Sequence, residues 1–363
     1  MRILVTGGHL TPALAVIDKL KDHEIIFVGR KYALEREQTL SFEYKEITKR
    51  EIKFIDLTTG RVNRAVSIRD FLSIVRIPLG FYQSLQVIRN EKPDRILSFG
   101  SYVAAPVAFW AWLFGIPVFS HEQTIQPGLS NRLIALFSKK VFVSFEETLS
   151  YFPQHKTVLS GNPIRQSIFT IQKKPFVLEK NKSVIYVTGG SLGSHSINMR
   201  IKDILPKLLK DFIIIHQTGD TKEYQDFEQL EKLREKLPKA LKSNYIIRKH
   251  FFEDEVGYIY SLTDMVIGRA GANTFFELLS LEKPTIFVPL PWSAHKEQQK
   301  QADIFKKYGV GEVFLQSEKS NRLLELIAQI RRSLPKYKRN FQKLKFLYKT
   351  NAAETIAKEV LRA

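Results

Sequence analysis

Cysteine is absent from all 363 residues, which excludes disulfides, thiol catalysis and Cys-ligated metal and suits a reducing compartment. No charged-then-apolar leader precedes the first predicted strand, Arg2 to Thr6, so secretion is not expected. None of the Gly-rich turns reads GxGxxG. The second predicted strand, Glu24 to Val28, closes on Val28-Gly29-Arg30 without an acid, so dinucleotide binding fits poorly. Acids are scarce overall: 37 Asp and Glu stand against 56 Lys and Arg, a net charge of +19. Between Lys336 and Lys349 there is no acid, and the Lys and Arg there interleave with Tyr337, Phe341, Leu344, Phe346 and Tyr348. Nucleic acid, an anionic membrane or a phosphorylated substrate would each attract such a surface, although one charge cluster is usually only a solvated face. An uncharged run does occur, Ile96 to Ser120, and by length it could cross a bilayer. Gly100, Pro106, Gly115 and Pro117 divide it into a strand, a loop, a helix Val107 to Phe114 and a strand Val118 to Ser120.

What is present is a globular composition, 44% hydrophobic and 12% aromatic, in a chain long enough for two domains. The stretch from Asp264 to Asp303 organises the rest. Met265 to Ile267 reads as a buried strand, Gly268 and Gly271 bracket a turn, and Ala272 to Leu281 has helical spacing. A strand Thr285 to Val288 and a helix from about His295 follow. A Gly turn that feeds a helix N-terminus aims backbone N–H groups at open space and favours an anion. Thr274, Glu277 and Gln298-Gln299 fall near the same end, and a nucleotide sugar, anionic with flanking hydroxyls, would suit them. The plainer alternative is an ordinary helix cap with Glu277 solvated.

The first residues repeat the device: strand, Gly7-Gly8-His9, then a helix predicted from Pro12 with Thr11 as its cap. A lone His is usually structural, but a turn at the carboxyl edge of a sheet is where α/β folds place ligands. Ile68 to Val87 is apolar on more than one face, carries Arg69 and Arg76, and is predicted to break at Pro78-Leu79-Gly80. Phe109, Trp110, Trp112, Leu113 and Phe114 cannot all face one core, which suits a surface lying on a membrane, or else burial at a domain interface. Polar groups gather at further strand ends, in His121-Glu122-Gln123 and Gly161-Asn162-Pro163-Ile164-Arg165. Ile171 to Lys182 lacks periodicity and marks the domain boundary. Val184 to Thr188, the Gly189-Gly190-Ser191-Leu192-Gly193-Ser194 nest and a helix then restart the plan, and Glu228 to Ala240 reads as one later helix. The expected fold is α/β, two Rossmann-like doubly wound parallel-sheet domains facing across a cleft.

In order, TGGHLTPALAV, FGSYVAAP, HEQ with PGLSN, GNPIR, GGSLGS with Asn198, GRAGANTFFEL and AHKEQQ resemble the MurG family of GT-B glycosyltransferases over nearly the whole chain. The resemblance implies an inverting hexosyltransferase that moves GlcNAc from UDP-GlcNAc to the 4-hydroxyl of undecaprenyl-diphosphate-linked MurNAc-pentapeptide in peptidoglycan synthesis. It implies no cofactor and no metal, an anionic membrane surface as partner without nucleic acid, and a peripheral location on the cytoplasmic side of the cell membrane. Residues 1–170 would form the acceptor-binding, membrane-associated domain and 183–340 the UDP-GlcNAc domain, with 341–363 as a C-terminal helix packing back toward the first. Position by position, Thr124, Arg165, Ser191, Phe252, Ala272, Asn273, Thr274, Glu277, Gln298 and Gln299 would hold UDP-GlcNAc. Gly7, Gly8, His9, Tyr102 and Asn131 would face the acceptor, with His9 as candidate base and Glu122 as the next candidate. The chain departs from the family in a first loop about three residues shorter, in Thr124 where Asn is usual, and in Leu192 where Gln is common. The rivals are a GT-B enzyme with another glycolipid acceptor, such as diacylglycerol, and a basic nucleic-acid-binding protein, for which no recognised module is present.

Overall fold

The computed structural model describes residues 1–34, 37–57, 68–179, 181–190, 192–220 and 223–362. They form two compact units, Met1–Arg165 with Lys349–Ala363 and Gln166–Tyr348. Residues 166–182 therefore pack with the second unit.

The first unit is built on β1 (Arg2–Thr6), β2 (Glu24–Gly29), β5 (Lys53–Asp56), β6 (Arg95–Ser98), β7 (Val118–Glu122), β8 (Lys140–Val143) and β9 (Thr157–Leu159). They pair in parallel in the order β5-β2-β1-β6-β7-β8-β9, while β3 (Tyr32–Leu34) and β4 (Glu37–Leu40) form a separate antiparallel pair. Ile3, Leu4 and Val5 are all buried. That continuous apolar run is what a strand covered on both faces requires. One face is covered by α1 (Leu10–Ile17) and α14 (Ala352–Arg362), whose Val16, Ile356 and Val360 join Ile3 and Val5. On the other lie α3 (Ile68–Glu91), α4 (Ala104–Leu113) and α5 (Leu129–Phe137), with Ile88, Val107, Ala111 and Ile134 against Leu4 and Ile96. The short α2 (Phe42–Lys49) packs on β5 and β2, with Ser41 as its N-cap.

The second unit pairs β10 (Ser183–Thr188), β11 (Phe212–Gln217), β12 (Tyr245–Arg248), β13 (Met265–Gly268), β14 (Thr285–Phe287) and β15 (Gly311–Val313) in parallel, in the order β12-β11-β10-β13-β14-β15. On one face α6 (His195–Asp211) and α12 (Ser320–Arg332) bury Ile201, Leu205, Leu326 and Ile330 against Ile185 and Val187. The remaining helices are α7 (Asp226–Glu235), α8 (Lys239–Lys242), α9 (Glu253–Leu262), α10 (Ala272–Ser280), α11 (Glu297–Lys307) and α13 (Leu334–Asn340). Phe305 of α11 holds ring contacts to Phe275, Phe287 and Phe341 at 5.0, 4.9 and 5.8 Å. In each sheet the strand order reverses beside the first strand, between β1 and β6 and between β10 and β13. Such switch points open a crevice at the carboxyl edge of an α/β sheet.

Three predicted boundaries move. The first helix begins at Leu10, with His9 as N-cap, and Pro12 is its third residue, where a missing N–H still has no intrahelical partner to lose. α3 runs unbroken through Pro78. The forfeited backbone bond is offset by packing on α4, where the Trp110 indole donates to the Phe81 carbonyl at 2.8 Å. The helix predicted from Glu228 to Ala240 is instead α7 and α8, with Pro238 as the N-cap of the second.

Candidate functional site

At the β1–β6 switch point the Gly7-Gly8-His9 turn leads into α1 and meets the loop after β6. A Cβ on Gly8 would lie 2.8 Å from the Gly100 carbonyl carbon. Gly100 itself has φ +91° and backs onto Asn131, whose Oδ1 would be 2.8 Å from a Cβ there. Only glycine fits both demands. His9 is partly exposed, and burial of its ring lowers the imidazole to about 4. It is therefore neutral at pH 7, with a lone pair available. His121 is fully buried and is lowered to about 3, first by burial and also by His9 nearby. Its Nε2 lies 3.2 Å from Ser144 Oγ and 3.3 Å from the Gly161 carbonyl.

Glu122, the other proposed base, is only 2% exposed and both of its oxygens are occupied. Oε1 accepts from the Thr124 amide at 2.9 Å and hydroxyl at 2.7 Å. Oε2 accepts from Asn131 Nδ2 at 2.8 Å and the Gly128 amide at 3.3 Å. Burial raises its pKa and these bonds oppose the rise. The carboxylate thus orders the 124–131 segment and the start of α5, and it commits Thr124 and Asn131 to the same network. Tyr102 is partly exposed beside this loop, with the Arg30 guanidinium 5.5 Å above its ring. Arg165, partly exposed, is the last residue of the first unit's long segment.

Glu43, for which the sequence carries no motif, completes this edge. Its carboxyl fills the space where Gly7 and Gly29 lack side chains, so a Cβ at Gly7 would collide with it. Burial pushes it up to about 7, against the Arg30 amide and charge, and its Oε1 is buried without a hydrogen-bond partner.

At the β10–β13 switch point, α10 starts after Gly271, which supplies no side-chain cap. The first-turn amides of Ala272, Asn273 and Thr274 thus have no capping side chain, and Asn273 Oδ1 is buried without a partner. Glu277, one turn on, is 5% exposed rather than solvated and accepts from the Tyr260 hydroxyl at 3.3 Å. Ser191 lies outside the described residues, but the nest around it is closely built. A Cβ on Gly189 would collide with the Ser194 amide, and one on Gly193 with the Thr218 carbonyl. Asn198 holds that carbonyl from below at 3.1 Å and also donates to Asp226 at 2.7 Å. Phe252 is the N-cap of α9, and its amide donates to Glu255 at 3.1 Å. Gln298 accepts from the Leu290 amide at 3.1 Å, and Gln299 donates to Asp303 at 2.8 Å. Both glutamines remain partly exposed at the start of α11. Arg269, between Gly268 and the α10 start, escaped the motif reading although it lies inside the GRAGANTFFEL stretch. Among the described residues no cluster of His, Asp and Glu could hold a metal.

The apolar residues of the Ile96–Ser120 run divide by depth. Trp112, Leu113 and Phe114 are exposed at the end of α4, and Leu79 and Tyr82 of α3 and Leu133 and Leu136 of α5, on helices that pack on α4, are exposed as well. Trp110 differs from the expectation: it is half-buried, held by its bond to Phe81. Arg69 and Arg76 have side chains outside the described residues. No described helix is long and apolar enough to cross a membrane.

Two doubly wound parallel sheets, each with one helix start at its switch point that has no side-chain cap, give the chain the two-domain α/β architecture of GT-B glycosyltransferases. The crystal structure of Acinetobacter baumannii MurG has this fold: it matches with a TM-score of 0.68 and 23% identity, over 100% of this chain and 99% of that one. The N-terminal domain of glycosyltransferase family 28 is matched by residues 5–143 and its C-terminal domain by residues 184–360. The chain belongs to glycosyltransferase family 28. Among curated proteins, the UDP-N-acetylglucosamine--N-acetylmuramyl-(pentapeptide) pyrophosphoryl-undecaprenol N-acetylglucosamine transferase of Clostridium kluyveri is 35% identical over 89% of both chains. The Clostridium perfringens transferase of the same name is 34% identical over 93% of this chain and 92% of its own.

Proposed function

We infer that this chain transfers GlcNAc from UDP-GlcNAc to the 4-hydroxyl of the lipid-linked MurNAc-pentapeptide, the step that precedes polymerisation of peptidoglycan. The observation that carries this reading is the 35% identity, spread over 89% of both chains, to a transferase of that name. The geometry agrees with it. In the second unit, the amides of Ala272, Asn273 and Thr274 suit a diphosphate, and the family resemblance adds Ser191 of that unit and Arg165 of the first as further contacts. The buried Glu277 suits ribose hydroxyls, the Phe252 backbone the uracil, and Gln298, Gln299 and Thr124 the sugar. In the first unit, His9 takes the proton of the acceptor hydroxyl as its oxygen attacks the anomeric carbon. The C–O bond to UDP breaks with inversion to a β-1,4 link, and UDP leaves with the bonding electrons. Helix N-terminal amides then stabilise the charge gained by the diphosphate. An imidazole near 4 is a weak base, and the negative charge of bound substrates raises it toward working pH. Glu122 acts through the loop it orders, together with Gly7, Gly8, Tyr102 and Asn131 on the acceptor side.

The exposed apolar residues of α3, α4 and α5 support a peripheral seat on an anionic membrane, where the acceptor's lipid is anchored. Turnover tests the whole reading. Lipid-linked muramyl-pentapeptide with UDP-GlcNAc should give product, UDP-GalNAc much less, and diacylglycerol none. Product from diacylglycerol alone would reassign the acceptor.

A further inference from the structure

Arg269 is a half-buried cation whose partners are all neutral. Its Nη1 donates to the Val288 carbonyl at 2.8 Å, and its Nη2 donates to Ser194 Oγ at 2.6 Å and Ser196 Oγ at 2.9 Å. The Gln316 amide, with its oxygen turned inward, accepts from Nη1 at 2.7 Å. Burial alone lowers the guanidinium to about 10, and no carboxylate among the described residues opposes that fall.

The four acceptors come from three places in the fold. Ser194 caps α6, Ser196 lies in its first turn, Val288 follows β14, and Gln316 follows β15. One planar fork thus ties the start of α6 to the far side of the switch point, two residues before the Gly271 cap of α10. Both helices turn their positive ends toward this turn, and a cation there is disfavoured. Partial desolvation without a counter-ion adds to the cost. An anion seated at the two helix starts would relieve both terms.

We propose that Arg269 is a positioning residue for the diphosphate of the nucleotide sugar, fixing the α6 start with its fork and completing the anion's charge balance with its guanidinium. The proposal rests on the UDP-sugar reading above and adds to it a cation that works from behind the Ser194–Ser196 turn. The same field favours the transition state, because the leaving diphosphate gains charge as the sugar departs.

Calorimetry with uridine and with UDP on the full chain separates this role from a scaffold. The readout is the ratio of the two dissociation constants, uridine over UDP, measured beside thermal unfolding of the same samples. In Arg269→Gln and Arg269→Met the ratio should fall about tenfold or more, since only the diphosphate senses the lost charge. In Arg269→Lys, which keeps the charge and loses the fork, the ratio should stay within about threefold of the parent while both ligands weaken together. A ratio unchanged in either neutral variant that folds, or a lysine variant as impaired in ratio as the neutral ones, overturns the proposal. Loss of folding in both neutral variants would make Arg269 a strut of the fold and overturn it as well. Failure of the parent chain to bind UDP would instead remove the UDP-sugar reading itself.

Discussion

His9 carries the most consequence of any single side chain, because it is the one imidazole that is both neutral and partly exposed at the β1–β6 edge. General-base help is typically worth about 10²–10⁴ in rate, so His9→Ala should lower kcat by about that factor while UDP binding holds. An imidazole acts as a general base in its neutral form. In the parent enzyme kcat/KM should therefore fall as pH drops toward about 4, and that limb should vanish in the variant. A loss below about fivefold with the limb intact would leave His9 as no more than a helix cap. Glu43 titrates with the opposite sign. Its folded pKa lies near 7 against an ordinary value of 4.5, so the folded chain holds its proton longer. Stability should decline from pH 4.5 to 7 by at most about 1.4 kcal/mol per pH unit, and denaturant titration of Glu43→Gln should remove that slope. Glu277→Ala should weaken UDP binding by roughly 1.5–3 kcal/mol in calorimetry, since a buried carboxylate accepts charge-assisted bonds. Unchanged affinity would place the ribose elsewhere. Of these three, His9 and Glu277 stand out in the sequence, the first in a Gly turn that opens a helix and the second one turn into the helix that Gly271 opens. Glu43 does not: nothing near it signals a site, and only the pairing of β1 with β2 brings its carboxyl under Gly7 and Gly29.

Among the elements, strands were easier to read than helix ends. Apolar runs such as Val184–Thr188 and Met265–Ile267 have nowhere to go but a sheet covered on both faces. Proline misled at both Pro78 and Pro238, in opposite directions. At the first, tertiary packing on α4 outweighed a lost backbone bond, and at the second, nothing comparable bridged α7 to α8. The end of α4 yields a test. Trp112, Leu113 and Phe114 are exposed, whereas Trp110 is held by Phe81. Changing the three exposed residues to Ser should cut sedimentation with anionic vesicles at least severalfold and leave UDP affinity and thermal stability near the parent values. Vesicle binding that persists would exclude this patch as the seat on the membrane, and a large drop in melting temperature would show that the patch is buried in solution.

At the scale of the molecule, the second unit is an insertion in the first, because α14 packs on α1. Ala353, Ile356, Ala357 and Val360 belong to the same apolar cluster as Ile3 and Leu14. Ending the chain at Tyr348 should therefore uncover part of one face of the first unit, on which α1 remains. Calorimetry should then lose or sharply lower one unfolding transition, while a UDP-stabilised transition from the second unit survives. Two intact transitions would show that α14 is dispensable. The arrangement also sets an order of events during synthesis. Every residue of the second unit leaves the ribosome before the first can close its core, so of the two units the one that emerges first is the one that finishes folding last. Until then the apolar face that awaits α14 is open to chaperones and to neighbouring nascent chains.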